Sequence, residues 1–203
     1  MQEIVEGIRR FQNRREQDVE LFRRLAEEGQ APVALIIGCS DSRVPPEVIT
    51  DAKPGVLFVT RVVGNIVPPY GSGEIAVGAV IEGAVHHLHV PQIIICGHTD
   101  CAGIRALDAQ PNWDREPHIA RWLEHARPAK TKVEASGLPA EECHLATVRE
   151  NVLLQLEHLR TYDPVREAEQ SGALTLVGWV YHLDTGIIEA YDPQTGGWAP
   201  LIP

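Results

Sequence analysis

Two short segments concentrate the reactive side chains of this chain. In IIGCSDSRVPPE, Ile36 to Glu47, an apolar run ends in Cys39 and is followed at once by Asp41 and Arg43. In IIICGHTDCAGI, Ile93 to Ile104, a second apolar run leads to His98 and Cys101. A thiol, a carboxylate and a guanidinium crowded beside an apolar run are costly to bury unless they satisfy one another or something they hold. Two thiolates and an imidazole are the borderline-soft ligands that zinc prefers, and a tetrahedral ion held by three of them keeps a fourth position for water or a carboxylate. On the residues alone two readings stand. Cys39, His98 and Cys101 converge on one ion, or they are three separate residues in core and loop. Asp41 and Arg43 read either as a carboxylate that accepts a hydrogen bond from metal-held water and is clamped by a guanidinium fork, or as a surface or interface salt bridge.

The elements that must position these residues are readable from periodicity. From Gln2 to about Glu28, apolar residues Ile4, Val5, Ile8, Phe11, Val19, Leu21, Phe22 and Leu25 recur at helical spacing among many charges, and Gly29 is a stop signal. VALIIG (33–38), VLFV (56–59) and IIIC (93–96) are short, apolar and rich in strand formers, which predicts buried strands. EIAVGAVIEGAVHHLHV (74–90) reads as one largely buried helix ending before Pro91. Residues 116–160 read as helical with a break near Ser136 and Gly137, and ALTLVGWVYHLDTGIIEAYD (173–192) supplies two late strands around Asp184-Thr185-Gly186. Strands alternating with helices predict an α/β fold: a mainly parallel central sheet with an antiparallel edge strand, flanked by helices. In such sheets reactive groups gather at the carboxyl ends of strands, where Cys39 and His98 both fall. A helix opening near Cys101 would favour its thiolate through the positive end of the helix dipole.

Composition excludes several classes. The chain has 203 residues, 44% of them hydrophobic, enough for one substantial core, and it is read as a single domain over 1–203 with residues 1–29 as an N-terminal helical arm. A formal charge of -10 repels phosphate backbones and anionic lipid heads, so no nucleic acid or membrane is expected as a partner. The charged start lacks a secretory apolar run, and an intracellular, cytoplasmic setting is expected, in which cysteines stay reduced. Metal binding or thiol chemistry therefore outranks a disulfide framework. Cys96, inside PQIIICG, reads as a small core hydrophobe and Cys143 as an incidental thiol. Cys39 and Arg43 stand too close for the phosphate loop of tyrosine phosphatases, and the chain has no Cys-x-x-Cys pair. His86, His87 and His89 face different ways on a helix, which favours a surface or interface role over ligation. His118, His125 and His158 are of a type that carries protons, with nothing to place them near the site.

CSDSR at 39–43 together with GHTDCAG at 97–103 resembles the β-class carbonic anhydrases, over most of the chain. The resemblance implies that Cys39, His98 and Cys101 bind zinc, that Asp41 and Arg43 form the catalytic dyad, and that the reaction is the reversible hydration of carbon dioxide to bicarbonate by attack of zinc-bound hydroxide. It also implies a homodimer whose N-terminal helices pack on the partner, with dimers free to pair further. Plant-type members line the pocket with a glutamine nine residues before the first cysteine ligand and a phenylalanine nineteen after it, which correspond here to Gln30 and Phe58. Members regulated by a non-catalytic bicarbonate carry tryptophan three residues before that cysteine, where this chain has Ile36, so the resemblance favours the form in which Asp41 does not ligate the metal. A microcompartment is a second setting compatible with the family.

Two departures from the family pattern stand out. Val62 replaces the asparagine of the Arg-Asn-x-Ala/Gly-Asn segment, and Gly83 replaces a pocket tyrosine after Ile81-Glu82. The glycine either opens room for a larger linear substrate such as carbonyl sulfide or relieves helix packing. Alternative functions are therefore a zinc hydrolase of carbonyl sulfide and a low-activity zinc-containing scaffold protein.

Overall fold

The computed structural model describes residues 1–109 and 114–202. Its backbone divides into two compact units, Met1–Ala31 and the chain from Pro32 onward. The first unit holds α1 (Gln2–Arg15) and α2 (Val19–Glu28), where Gly29 closes the second helix at φ 84°. Phe11 meets Phe22 edge to face at 5.9 Å, and the Arg15 guanidinium lies over the Phe22 ring.

The second unit contains β1 (Ala34–Cys39), α3 (Pro46–Ile49), β2 (Leu57–Val62), α4 (Ile75–Glu82), β3 (Gln92–His98), α5 (Ala102–Arg105), α6 (Pro117–Glu124), α7 (Arg127–Glu134), α8 (Ala140–Arg160), α9 (Asp163–Gln170), β4 (Thr175–Tyr181), β5 (Ile188–Asp192) and β6 (Gly197–Pro200). The strands form one six-stranded sheet in the order β2-β1-β3-β4-β5-β6. The four strands from β2 to β4 run parallel, and β5 and β6 add antiparallel pairings at one edge.

All six residues of β1 are buried, as a central parallel strand covered on both faces requires. Leu35, Ile37 and Cys39 join Ile93 and Ile95 in the larger core, while Ala34, Ile36, Ile94 and Cys96 form a smaller cluster on the opposite face. The larger core is closed by α8, whose buried Val148, Val152, Leu156 and Leu159 recur at helical spacing. Two glycines let that helix come close. A Cβ on Gly97 would stand 2.8 Å, and one on Gly178 2.9 Å, from a methyl of Val152.

Three expectations need adjustment. Strands β2 and β3 run past the apolar runs, to Val62 and His98, because ladder pairing with β1 and β4 carries polar and small residues along. Cys39 and His98 are thus the last residues of their strands rather than the first residues beyond them. The helix expected over 74–90 is α-helical only to Glu82 and widens into a π-turn over Gly83–His87. The antiparallel edge has one strand more than expected, since β6 pairs with β5 across the turn after Asp192.

Candidate metal centre

Register brings the two motifs together. Gly38 pairs with Cys96 across β1 and β3, so the last residue of β1 ends one step from His98, and Cys101 follows at the residue before α5. The Sγ atoms of Cys39 and Cys101 lie 3.8 Å apart, and with a His98 ring nitrogen the three ligand atoms all fall within 4.8 Å of one another. Two sulfurs each about 2.3 Å from a tetrahedral zinc stand roughly 3.8 Å apart, so the spacing fits such an ion. The ring of His98 is oriented for it as well. Nδ1 lies 2.8 Å from the Thr99 carbonyl and donates to it, which leaves Nε2 with its lone pair free, buried and without a hydrogen-bond partner. The cluster is the only such group of metal-ligating side chains among the described residues.

The two sulfurs stand within hydrogen-bonding distance, and either can donate to the other. A hydrogen bond from Cys101 is the main cause that brings the Cys39 thiol down to about 4, against the opposing effect of burial. The same shared hydrogen bond, and burial, push Cys101 up. A pair that already keeps one thiolate in a buried place is poised to exchange its remaining proton for a cation.

Asp41 is clamped beside the cluster without belonging to it. Its Oδ1 accepts from the Arg43 backbone N–H and from Nε, both at 3.0 Å, and its Oδ2 accepts from Arg43 Nη2 at 2.7 Å. The Arg43 fork holds the Asp41 carboxyl well below the usual carboxylate range. Asp41 Oδ2 is also 3.9 Å from His98 Nε2. Arg43 reaches further, to Asp100 Oδ2 and to the Asp100 carbonyl, both at 3.3 Å, so one guanidinium ties the loop after β1 to the loop after β3. Asp100 has φ 54°, a left-handed conformation that aspartate tolerates better than most residues.

Residues 34–188 match the family model described as carbonic anhydrase. The chain belongs to the carbonic anhydrase family. It is similar to a carbonic anhydrase of Pseudomonas aeruginosa, 44% identical over 95% of this chain and 88% of that protein, and to carbonic anhydrase 1 of Escherichia coli O157:H7, 42% identical over 99% and 92%. Among solved structures it resembles the β-carbonic anhydrase CcaA, with a TM-score of 0.93 and 36% identity over 98% of both chains. It also resembles tetrameric β-carbonic anhydrases from Sordaria macrospora, with a TM-score of 0.80 and 30% identity over 92% of this chain and 93% of that one. Class and fold thus agree with the resemblance carried by the two motifs.

The remaining expected residues of this carbonic anhydrase are placed unevenly. Phe58 packs against the larger core and pairs with Leu35, four positions back from the Cys39–Val62 pair, so about 13 Å of strand separates it from the cluster of its own chain. Gln30 is exposed and lies in the N-terminal unit. Val62 packs against the core at the end of β2. A Cβ on Gly83 would meet nothing within 4 Å among the described residues of its own chain. Cys96 is buried in the smaller cluster, and burial pushes its thiol up to about 12, in keeping with a core role. Cys143 donates to the Pro139 carbonyl at 3.3 Å on the first turn of α8. His158 is committed to structure, with Nδ1 donating to the Val67 carbonyl at 2.7 Å.

Arg61 is a site residue that pattern reading missed. Its Nε donates to the Cys39 carbonyl at 2.9 Å and its Nη2 to the Asp41 carbonyl, so it fixes the backbone on both sides of Ser40. Its signal in the sequence was its place as the arginine that opens the family segment in which Val62 departs, and no role was read from it. Thr99 is a second such residue: its N–H donates to the Tyr181 carbonyl and its hydroxyl accepts from the Leu183 N–H, both at 3.0 Å, which moors the His98 loop to the end of β4.

Proposed function

We propose that the chain is a zinc enzyme that interconverts carbon dioxide and bicarbonate, with Cys39, His98 and Cys101 as the metal ligands and Asp41 and Arg43 as the catalytic dyad. The observation that carries the reading is the cluster itself: two sulfurs at 3.8 Å and a buried, unpartnered imidazole nitrogen, beside a carboxylate already occupied by an arginine. Zinc, when bound, supplies a Lewis acid that makes hydroxide available from water near neutral pH.

The chain's own groups do the rest. Asp41 stays ionised across the physiological range, so it accepts hydrogen bonds and does not donate. It therefore selects the O–H of the attacking water and turns the remaining lone pair toward the carbon of the substrate. Because Arg43 makes Asp41 a weak base, the carboxylate orients and does not keep the proton, which passes to solvent or buffer. The bidentate fork also keeps Asp41 from swinging onto the ion as a fourth ligand. Addition of the water oxygen to carbon forms one C–O bond, converts one C=O to a C–O⁻, and releases one proton, giving bicarbonate.

We further propose a homo-oligomer in which residues 1–29 form an arm that packs on a partner, and in which Gln30 and Phe58 line a pocket completed between copies. The distance of Phe58 from the cluster of its own chain supports that reading, as does the solved tetrameric relative. Zinc content and carbon dioxide hydration measured on one sample test the proposal: one zinc per chain with hydration above buffer is expected, and a zinc-replete sample without hydration would favour the scaffold reading. The open space at Gly83 justifies running carbonyl sulfide beside carbon dioxide, with sulfide release slower than hydration as the expected result.

A further inference from the structure

Asp100 stands between two cations. Its Oδ2 accepts from Arg43 Nη1 and its carbonyl accepts from Arg43 Nη2, both at 3.3 Å, while its Oδ1 accepts from Nη2 of Arg105, the last residue of α5. The residue sits at φ 54°, where L side chains are disfavoured and glycine is at ease, and from there its carbonyl and its carboxylate both reach one guanidinium.

The contact matters for what it joins. Asp41 and Arg43 belong to the loop after β1, whereas His98 closes β3 and Cys101 follows in the loop that carries Asp100. Arg43 is half exposed, and it borders an open basin of about 640 Å³ lined also by Thr99, Tyr181, His182 and Asp184. The outer edge of the guanidinium therefore has room to turn. Nε and Nη2 are engaged by Asp41, and Nη1 has Asp100 Oδ2 as its acceptor. A fork free to swing into the basin would either draw the Asp41 carboxylate along or let go of it, and in both cases the acceptor beside the ligand cluster loses its fixed place.

We propose that Asp100 is a positioning residue for the dyad: it pins the outer edge of the Arg43 guanidinium to the ligand-bearing loop, and so holds Asp41 in register with the metal cluster. The inference rests on the dyad reading above. Asp100 and Arg43 are each about half exposed, so the hold is that of a single screened charge pair, on the order of 3-fold in a rate or an equilibrium.

The test compares the full zinc-loaded chain with Asp100→Gly, which removes the carboxylate, keeps the carbonyl and suits the backbone at this position. Nitrogen NMR of the Arg43 side chain reads rotation about Cζ–Nη1, which the Asp100 bond slows, separately from rotation about Cζ–Nη2, which Asp41 slows. Rotation about Cζ–Nη1 should quicken by about 3-fold in Asp100→Gly, with zinc content unchanged. In buffer concentrated enough that proton release does not limit turnover, kcat and kcat/KM for carbon dioxide should both fall by about 3-fold at constant KM, the pattern of an interaction made only in the transition state. Asp100→Asn keeps an acceptor without the charge and should fall between the two chains. Parental rotation at Nη1, or parental kcat, in Asp100→Gly would overturn the proposal, as would a rise in KM alone, which would make Asp100 a substrate contact. A parent that binds zinc but hydrates no carbon dioxide would instead overturn the dyad reading, and the Nη1 signal would still decide whether Asp100 holds Arg43.

Discussion

At the scale of single residues, the proposed site needs a carboxylate that is held and a Cys39–His98–Cys101 cluster able to cage a metal, and the two are separable by substitution. Asp41→Asn keeps the size and one acceptor oxygen but adds an N–H that confronts the Arg43 fork and presents a donor to the attacking water. Metal content should stay at one per chain, because Asp41 is outside the ligand cluster, while turnover falls by about 100-fold or more. Stopped-flow hydration and metal analysis of the same preparation check both halves. Unchanged turnover would remove Asp41 from the mechanism. Cys39, His98 and Cys101, with Asp41 and Arg43, were legible in the sequence as candidates, because Cys39 and His98 close apolar runs, and it was the resemblance of the two motifs that implied their roles. The role of Arg61 was not legible, since it acts through two backbone carbonyls, and a carbonyl has no sequence signature.

Elements were legible where apolar content alone decides them. The all-buried β1 and the apolar runs of β2 and β3 are visible as runs, but their ends are set by ladder partners, so Arg61 and His98 entered strands that composition would have closed earlier. The short β6, Gly197–Pro200, has too few strand formers to be seen without β5 beside it. The close seating of α8 on the sheet was equally hidden, because it is built from the absence of side chains at Gly97 and Gly178. It carries a prediction. In Gly178→Ala the new methyl would stand 2.9 Å from Val152 Cγ1, and a β-branched side chain locked in a helix cannot rotate away, so stability should fall by about 1–3 kcal/mol. Urea denaturation should show it, and Val152→Ala added to the same chain should recover part of the loss. If the double variant were no better than the sum of the two single variants, the contact would not be the cause.

For the whole molecule, two properties follow from groups distributed over many elements. The first is a pH dependence of stability. Burial holds His125, His144 and His158 below the ordinary histidine value, so the folded chain takes up protons less readily than the unfolded one. Their neutral forms cost the fold nothing above about pH 6.5, and stability is lost as pH falls through that value. The urea midpoint should therefore drop between pH 7 and pH 5.5, where most carboxylates are still ionised, and His158→Gln should flatten the drop. A midpoint constant over that range would mean that these histidines titrate alike in both states.

The second property is assembly. Neither α1 nor α2 has a buried residue, and Ile4, Ile8 and Phe11 stand at the i, i+4, i+7 spacing of one helix face with 64%, 52% and 44% of their surface exposed. Helices of 14 and 10 residues are marginal in water unless an apolar face is covered, and the Phe11–Phe22 contact covers little of it. A second copy of the chain supplies the missing cover under the proposed arm exchange. Deleting residues 1–29 should then lower the molecular mass in solution, read by light scattering on a sizing column, from an oligomer to a smaller species. Hydration should fall with it, because a pocket shared between copies is lost while the cluster of Cys39, His98 and Cys101 remains within each chain. A truncated chain that keeps both its mass and its rate would show that the arm binds no partner and that Gln30 and Phe58 have no role across copies.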